Sequence, residues 1–195
     1  VVTSEAVDGT FSRSYEMKIM GQTVFRRSSF DQDLVQDVLH ALSQDSRTNH
    51  LDVIAGVTMS ADCFYEGQGR MDGAICEFNQ EEKDNFLKTA YHYGVRNFEM
   101  ESHMFGAFAH KLGLQAITCC VALLNRFEGD TVKLSPTDKM YMEQSLFDCI
   151  LAFMNFDRVR LRHVEHTEVV RDVKISGGMI VYGSGTCYPY PNESD

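Results

Sequence analysis

Residues 62–70, with the sequence DCFYEGQGR, combine side chains that could recognise a flat, polar ligand. The Gln68 amide offers a donor and an acceptor and the Arg70 guanidinium offers a planar fork of donors, so together they suit a ring with adjacent carbonyl and N–H groups. The edge of a pyrimidine has this pattern. Phe64 supplies an apolar face for a ring or a sugar, and Gly67 and Gly69 let the backbone come close to it. The alternative is a surface loop whose polar side chains meet only solvent.

A second group of polar residues lies where a predicted strand leads into a predicted helix. Glu99 and Glu101 flank Met100 at this junction, and a carboxylate there can accept hydrogen bonds from the hydroxyl groups of a sugar. The alternative is that these acidic residues only favour the positive end of the helix dipole. Arg126 directly follows another predicted buried strand, a position where ligand-binding residues gather in α/β sheets.

The segment from His163 to Glu168 also holds side chains that could bind a metal ion. His163 and His166 are separated by two residues and are accompanied by Glu165 and Glu168. A zinc site needs a further ligand at a characteristic spacing, which this segment does not supply. We therefore expect no metal.

The composition favours a globular protein that binds small molecules. The chain has 195 residues, of which 44% are hydrophobic and 24% charged, enough to bury a core of useful size. Its formal net charge of -10 argues against binding to nucleic acid or to an anionic membrane, because both need clustered Lys and Arg. No apolar run reaches the roughly 20 residues that span a bilayer. We expect a cytoplasmic protein whose six cysteines are reduced.

Apolar residues at helical or strand spacing predict helices that alternate with strands. Asp31 can cap a helix over residues 31–45, and Asn79 with Glu82 can form a capping box for a helix over residues 80–93. The other predicted elements are strands at 51–60, 95–100 and 117–124, a helix at 100–112 that ends at Gly113, and a helix from Ser135 to about residue 154.

The sequence pattern changes after residue 154. Arg158, Arg160 and Arg162 alternate with apolar residues, which predicts a strand. The apolar runs at 169–175 and 179–182 flank two glycines, which predicts a hairpin.

The glycines near the end of the chain do not form a phosphate-binding motif. Gly177-Gly178 and the Gly-Ser-Gly at 183–185 lack the required spacing and the following helix, so we interpret them as turn residues. Residues 188–195 are expected to be frayed.

Strands and helices that alternate in this way predict an α/β sandwich. Ligand-binding loops in such folds gather at the carboxyl ends of the strands. The loop at 62–70 and the segment NRFEGD at 125–130 both occupy such positions. We therefore expect them to meet at one edge of the sheet.

Four separated blocks of sequence together resemble the uridine phosphorylases of the nucleoside phosphorylase family, most of all the animal members. The resemblance runs in order, with compatible spacing, from residue 1 to about residue 154. It implies a mixed central sheet flanked by helices, an α/β/α sandwich that is incomplete here. The chain opens with Val1-Val2-Thr3 and no methionine, and we expect an upstream part to be missing. The blocks are VVTSEAVD (1–8), GVTMSADCFYEGQGRMDGAIC (56–76), GVRNFEMES (94–102) and CVALLNRFEGD (120–130).

The resemblance implies a binding site for the base. Gln68 and Arg70 would hold the uracil carbonyls and N3–H, and Phe64 would pack against the nucleoside. Leu123 and Leu124 would border the base.

The resemblance also implies a binding site for the sugar. Met100 would line the ribose, and Glu101, supported by Glu99, would accept hydrogen bonds from its hydroxyl groups. Arg126 matches an arginine that lies close to the base pocket. The residues expected to take part in catalysis are Arg70, Glu101 and Arg126.

The implied activity is that of a pentosyltransferase, a glycosyltransferase of pyrimidine salvage, which converts uridine and phosphate reversibly to uracil and ribose 1-phosphate. Where purine-specific relatives carry an Asp, this chain has Asn125-Arg126, which favours a pyrimidine. Inorganic phosphate would be the co-substrate, and no cofactor is expected. The implied partners are these small molecules and a second subunit in a homodimer, with neither nucleic acid nor membrane.

In the family that the chain resembles, the phosphate-binding arginines, a glycine loop, a Thr-containing turn and a ribose-contacting His precede the segment that matches Val1. We therefore expect this chain to hold the half of a site that binds the base and the 2′-hydroxyl. Residues 1–154 are expected to be the C-terminal part of a nucleoside phosphorylase domain, and residues 155–195 a divergent tail. The alternatives are an inactive module that binds nucleosides or dimerises, and a fragment that does not fold cooperatively.

Overall fold

A computed structural model describes residues 1–167 and 179–187, with side chains up to residue 159. Strands and helices alternate along most of the chain, after a run of three strands at its start. The elements are β1 (Val2–Val7), β2 (Ser14–Ile19), β3 (Gln22–Arg27), α1 (Gln32–Gln44), β4 (Ala55–Ser60), α2 (Gln80–Tyr93), β5 (Val95–Glu99), α3 (Ser102–Leu112), β6 (Ala116–Asn125), α4 (Pro136–Thr167) and β7 (Met179–Cys187).

Five of these strands build one mixed sheet that closes on itself in the order β1-β4-β5-β7-β6. The pairs β1–β4, β4–β5 and β6–β7 are parallel, whereas β5–β7 is antiparallel. An antiparallel contact between Val2 and Cys119 joins β1 to β6 and completes the ring. β2 and β3 form a separate antiparallel hairpin. The structure thus confirms the predicted α/β fold with a mixed central sheet flanked by helices.

α1 and α2 begin and end within one residue of the positions that the sequence predicts. The Asp31 side chain accepts a hydrogen bond from Leu34 N at 2.8 Å and caps α1. Both hydrogen bonds of the capping box between Asn79 and Glu82 are present at the start of α2. Gly94 ends α2 with φ 103°, in the left-handed region that glycine adopts without steric cost. These ends are local features, which explains why the sequence predicts them well.

Each helix packs an apolar face against the sheet. α1 and α4 cover β1 and β6, where Val35, Leu42 and Leu146 lie in one buried cluster. α2 covers β4 and β5, with Leu87 in a second cluster that also holds Met59 and Phe98. α3 packs through Phe105 and Ala109 against Phe30 and the ends of β1 and β6. These clusters hold the carboxyl ends of β1, β4 and β5 in fixed positions relative to one another.

The prediction of a strand after residue 154 is wrong, because α4 continues to Thr167. The alternation of Arg158, Arg160 and Arg162 with apolar residues is equally compatible with a helix, since arginine is a good helix former. The sequence has neither glycine nor proline between residues 137 and 176 that would end the helix. α4 therefore runs across residue 154, and the division into units at 1–154 and 155–195 stays a prediction.

The predicted hairpin at the end of the chain is described only in part. Residues 179–187 do form a strand, but it pairs with β5 and β6 in the central sheet. Gly183 and Gly185 lie inside that strand, so their interpretation as turn residues is wrong. Residues 168–178, with Gly177-Gly178, and residues 188–195 lie outside the described part. So do the side chains of residues 160–167, among them His163 and His166.

Among the helices of the described ranges, none combines the length and the apolar character needed to cross a bilayer.

Candidate functional site

The loop after β4 is folded as a tight turn that directs Gln68 inward. Residues Glu66–Gln68 form one turn of 3₁₀ helix, and the carbonyl of Tyr65 accepts hydrogen bonds from the backbone N–H groups of Gln68 and Arg70 at 3.1 and 3.0 Å. Gly69 has φ 65°, a conformation that favours glycine. Gln68 is buried, with 7% of its surface exposed. The turn therefore brings Gln68 and Arg70 close together in a fixed backbone.

Arg70 is held in one orientation by an acidic neighbour and by two aromatic rings. Its Nε and Nη2 donate to the two carboxylate oxygens of Asp72 at 2.8 and 2.6 Å. The guanidinium carbon lies 4.6 Å from the centroid of the Phe64 ring and 4.9 Å from that of Tyr65. The hydrogen bond to Asp72 raises the pKa of Arg70. Because this pairing engages one side of the fork, the Nη1 side still offers donors to a ligand.

A buried charged cluster lies directly behind this loop. The carboxylate of Asp130 accepts hydrogen bonds from Met71 N at 2.9 Å, from Lys83 Nζ at 2.9 Å and from Arg126 Nη1 at 3.0 Å. The Lys83 and Arg126 side chains are each only 3% exposed. Burial alone would raise the pKa of Asp130, but these three hydrogen bonds hold it below its usual value. Asp130 thus stays ionised and joins the loop after β4 to α2 and to the turn after β6.

The residues predicted to surround the base lie on these same elements. Leu123 and Leu124 are half-buried near the end of β6, and Arg126 follows that strand in the buried cluster. Phe64 is exposed except where it covers Arg70. Phe64 and Arg70 are therefore in direct contact. Arg70 and Arg126 are linked indirectly, because Met71, the residue after Arg70, and Arg126 both donate hydrogen bonds to Asp130.

The two carboxylates predicted at the sugar side have different surroundings. Glu99 is buried at the end of β5, where Oε2 accepts from the backbone N–H groups of Glu101 and Ser102, both at 2.8 Å, and Oε1 accepts from the Ser60 hydroxyl. Burial raises the pKa of Glu99, although these hydrogen bonds oppose the shift. Glu101 is exposed and makes no capping hydrogen bond to α3. Glu99 is therefore the acid that binds the helix start, while the Glu101 carboxylate faces solvent.

A cavity of about 500 Å³ opens beside this junction. Met100, 38% exposed, forms part of its wall. His103 also lines it, is 3% exposed, and its Nε2 has no hydrogen-bond partner among the described residues. Burial lowers the pKa of His103, so a neutral imidazole faces the cavity. The wall is completed by Asp8, Tyr15, Glu16, Lys18, Ser60, Ala61, Asp62 and Met104.

The segments predicted to bind the base and the sugar are connected through the carboxyl ends of β4 and β5. Ala61 N donates to the carbonyl of Glu99 at 2.8 Å, and the Ser60 hydroxyl, besides its bond to Glu99, accepts from His103 N at 2.8 Å. The chain passes from Ala61 into the loop that carries Phe64. The backbones of the loop and of the Glu99–Glu101 segment therefore lie at one edge of the sheet, at the carboxyl ends of β4 and β5.

Sequence reasoning gave no role to three residues that hold the loop in place. Asp72 follows Arg70 by two positions, a spacing that could have indicated the pair. Lys83 lies at helical spacing from Leu87 and Ala90, both fully buried, so its place on the apolar face of α2 was visible in the sequence. Asp130 ends the segment at 125–130, but two of its three partners, Lys83 and Met71, are 47 and 59 residues away, and no local signal identifies those two.

The chain is similar to uridine phosphorylases in sequence and in structure. It is 39% identical over 132 residues to uridine phosphorylase 1 of Mus musculus, a match that covers 68% of this chain and 42% of that protein. It is 35% identical over 144 residues to inactive uridine phosphorylase B of Schistosoma mansoni, which covers 74% and 48%. A uridine phosphorylase of the same organism, crystallised with uracil, superposes with a TM-score of 0.72 at 31% identity and covers 80% of this chain and 53% of that one.

The match is partial in length, since the chain spans about half the length of the curated relatives it matches. Within that span, the model of the phosphorylase superfamily matches residues 1–144. This range contains every residue predicted for the site and the elements that carry them, from β1 to the first part of α4. The chain therefore belongs to the phosphorylase superfamily.

Proposed function

We propose that this chain carries the base-binding and ribose-binding part of a uridine phosphorylase, a pentosyltransferase that converts uridine and phosphate reversibly to uracil and ribose 1-phosphate. The observation that carries the proposal is the fixed pair of Gln68 and Arg70. Gln68 is buried in a tight turn, and Arg70 is oriented by Asp72 and two aromatic rings. An amide and a guanidinium held at two positions of one turn suit adjacent carbonyl and N–H groups of a pyrimidine.

In the proposed reaction, the glycosidic bond breaks and negative charge develops on the uracil ring. Donors from Gln68 and Arg70 interact more strongly with the charged ring than with the neutral base of uridine, so they stabilise the transition state more than the bound substrate. The arrangement is preorganised, because the Arg70 guanidinium is already fixed before a ligand binds. Arg126 would add positive charge from the other side of the base pocket, which Leu123 and Leu124 would border.

The proposed role of Glu101 is to position the ribose. Glu101 is exposed and directly follows Met100, which lines the cavity. We propose that its carboxylate accepts hydrogen bonds from the 2′-hydroxyl and 3′-hydroxyl groups. Glu99 would support it indirectly, by fixing the start of α3. Holding the sugar in this way would place C1′ in line with an attacking phosphate.

Several further features belong to the same proposal. Inorganic phosphate would act as the co-substrate, without a metal or an organic cofactor. The chain would work as a homodimer in the cytoplasm and serve pyrimidine salvage. Crystal structures of a related uridine phosphorylase in complex with uracil, thymine and thymidine support a pyrimidine as the ligand. The net charge of -10 favours a small ligand over nucleic acid.

The experiment that tests the proposal separates binding from turnover. Uracil binding to the purified chain is measured by calorimetry, and uracil release from uridine is followed with and without phosphate. Phosphate-dependent release supports the full activity. Uracil binding without release supports the alternative of an inactive nucleoside-binding module, for which the similarity to an inactive relative is a specific argument. A chain with a cooperative thermal transition that binds neither uracil nor uridine would contradict both.

A further inference from the structure

Asp130 and Lys83 have no part in the proposed chemistry, yet the buried cluster that they form with Arg126 contacts both segments that are proposed to face the base. Met71, whose N–H donates to Asp130, directly follows Arg70 in the chain. Arg126, the other arginine of the base side, donates to the same carboxylate through Nη1. Lys83 reaches it from α2. The Asp130 carboxylate therefore accepts hydrogen bonds from the end of the loop after β4, from the turn after β6 and from helix α2.

The surroundings of this carboxylate make its contacts rigid. A buried charge is stable only if its hydrogen-bonding capacity is satisfied, and removal of one partner leaves the others buried and uncompensated. The Lys83 and Arg126 side chains are almost fully enclosed. If the carboxylate were lost, neither side chain could therefore donate its hydrogen bond to water instead. Hydrogen bonds to ionised groups are also stronger than those between neutral groups. The loop end at Met71 is thus tied to the scaffold by a strong, shielded contact.

Among the described residues, the loop has few other attachments of this kind, one being the hydrogen bond from Glu77 N to the Glu66 carboxylate at 2.8 Å. Its internal hydrogen bonds run from Gln68, Gly69 and Arg70 back to Tyr65 and Glu66, which shapes the turn but does not fix it to the rest of the protein. Arg70 itself pairs with Asp72, which belongs to the same segment and is 42% exposed. The contact of Met71 with Asp130 is therefore well placed to set where the whole turn lies relative to β6.

We infer that Asp130, held in place by Lys83, is a positioning residue for base recognition: it keeps the turn with Gln68 and Arg70 and the turn with Arg126 in one fixed arrangement. The inference rests on the proposed function as far as the base is concerned. The rigidity of the loop, however, can be measured without any ligand.

The experiment compares the parent chain with Asp130→Asn and Lys83→Met, and uses Lys88→Met as the matched control. Lys88 lies on the same helix as Lys83, but it is exposed. Amide hydrogen exchange is followed at residues 68–71 and in α1, and uracil binding is measured by calorimetry. We expect Asp130→Asn to speed exchange at 68–71 and to weaken uracil binding, each by about tenfold or more, as expected for loss of a hydrogen bond to a charged group. Lys83→Met should act in the same direction but less strongly.

Amide exchange in α1 and the control variant Lys88→Met distinguish a positioning role of Asp130 from a merely structural one. Exchange in α1 should stay at the parent rate in both variants, and Lys88→Met should leave exchange and uracil affinity unchanged. Unchanged protection at 68–71 in both variants would overturn the inference, and so would an equal loss of protection in the loop and in α1. If Asp130→Asn does not fold, Lys83→Met decides the question by the same readout. If the parent chain itself fails to bind uracil, the proposed function is lost, and hydrogen exchange still decides the positioning role.

Discussion

Replacing Arg70 by alanine should abolish much of the affinity for uracil while costing little stability. The ion pair of Arg70 with Asp72 is partly exposed, and such pairs contribute roughly 0–1 kcal/mol to stability. The contacts with the Phe64 and Tyr65 rings, which are about half exposed, add about 0.5 kcal/mol each. The total cost to the fold is therefore about 1–2 kcal/mol. A hydrogen bond from a charged donor to the base contributes about 1.5–3 kcal/mol, so the dissociation constant for uracil should rise by about 10-fold to 100-fold.

The chain offers a closely matched control for this variant. Arg47 donates from Nε and Nη2 to Asp45 at 2.8 and 2.6 Å, the same distances as in the pair of Arg70 with Asp72, but it lies just after α1. Arg47→Ala should leave uracil affinity at the parent value. Calorimetry gives the affinities, and denaturant unfolding gives the stabilities. Equal uracil affinity in Arg70→Ala and the parent, or equal loss in both variants, would refute a direct role for Arg70 in base binding.

Three further results are expected. Glu101→Gln should weaken binding of uridine but not of uracil in calorimetry, and a parallel loss of both would contradict the sugar role. Because burial raises the folded pKa of Glu99 above 4.5, its ionisation costs stability as pH rises through the folded pKa. As pH rises from about 4.5 through the folded pKa of Glu99, the melting temperature should therefore fall more in the parent than in Glu99→Gln. The same dependence of melting temperature on pH in both proteins would refute this. Burial raises the pKa of Cys119 and Cys120 to about 12. Iodoacetamide at about pH 8 should therefore modify exposed Cys63 in the native chain and should modify Cys119 and Cys120 only after unfolding. Mass spectrometry identifies the modified residues.

The helix ends show how far local sequence determines the fold. Asp31, the Asn79–Glu82 pair and Gly94 act within a few residues of their own positions, so their effect can be predicted without knowing what the helix packs against. The same holds for the turn that carries Gln68 and Arg70, whose shape depends on Gly69 and on hydrogen bonds within the loop.

The errors lie where a local pattern fits two structures. Arginines that alternate with apolar residues after residue 154 suit a strand or a helix, and with no glycine or proline to end it α4 continues through them to Thr167. Gly183 and Gly185 suggest a turn, but pairing with β6 makes them part of a strand. For the two glycines, pairing with a distant segment overrides the weak preference of the residues themselves.

The sequence by itself determined the family and the capped ends of α1 and α2. It also predicted the residues that we propose for binding a pyrimidine and a sugar. Only the tertiary structure decided that Glu99 binds the start of α3 while Glu101 faces solvent, and that Asp130 joins Met71, Lys83 and Arg126. The physical reason is distance along the chain. A cap or a turn is stabilised by groups within about four residues, whereas a buried charge is stable only among partners that the packing of separate elements brings to it.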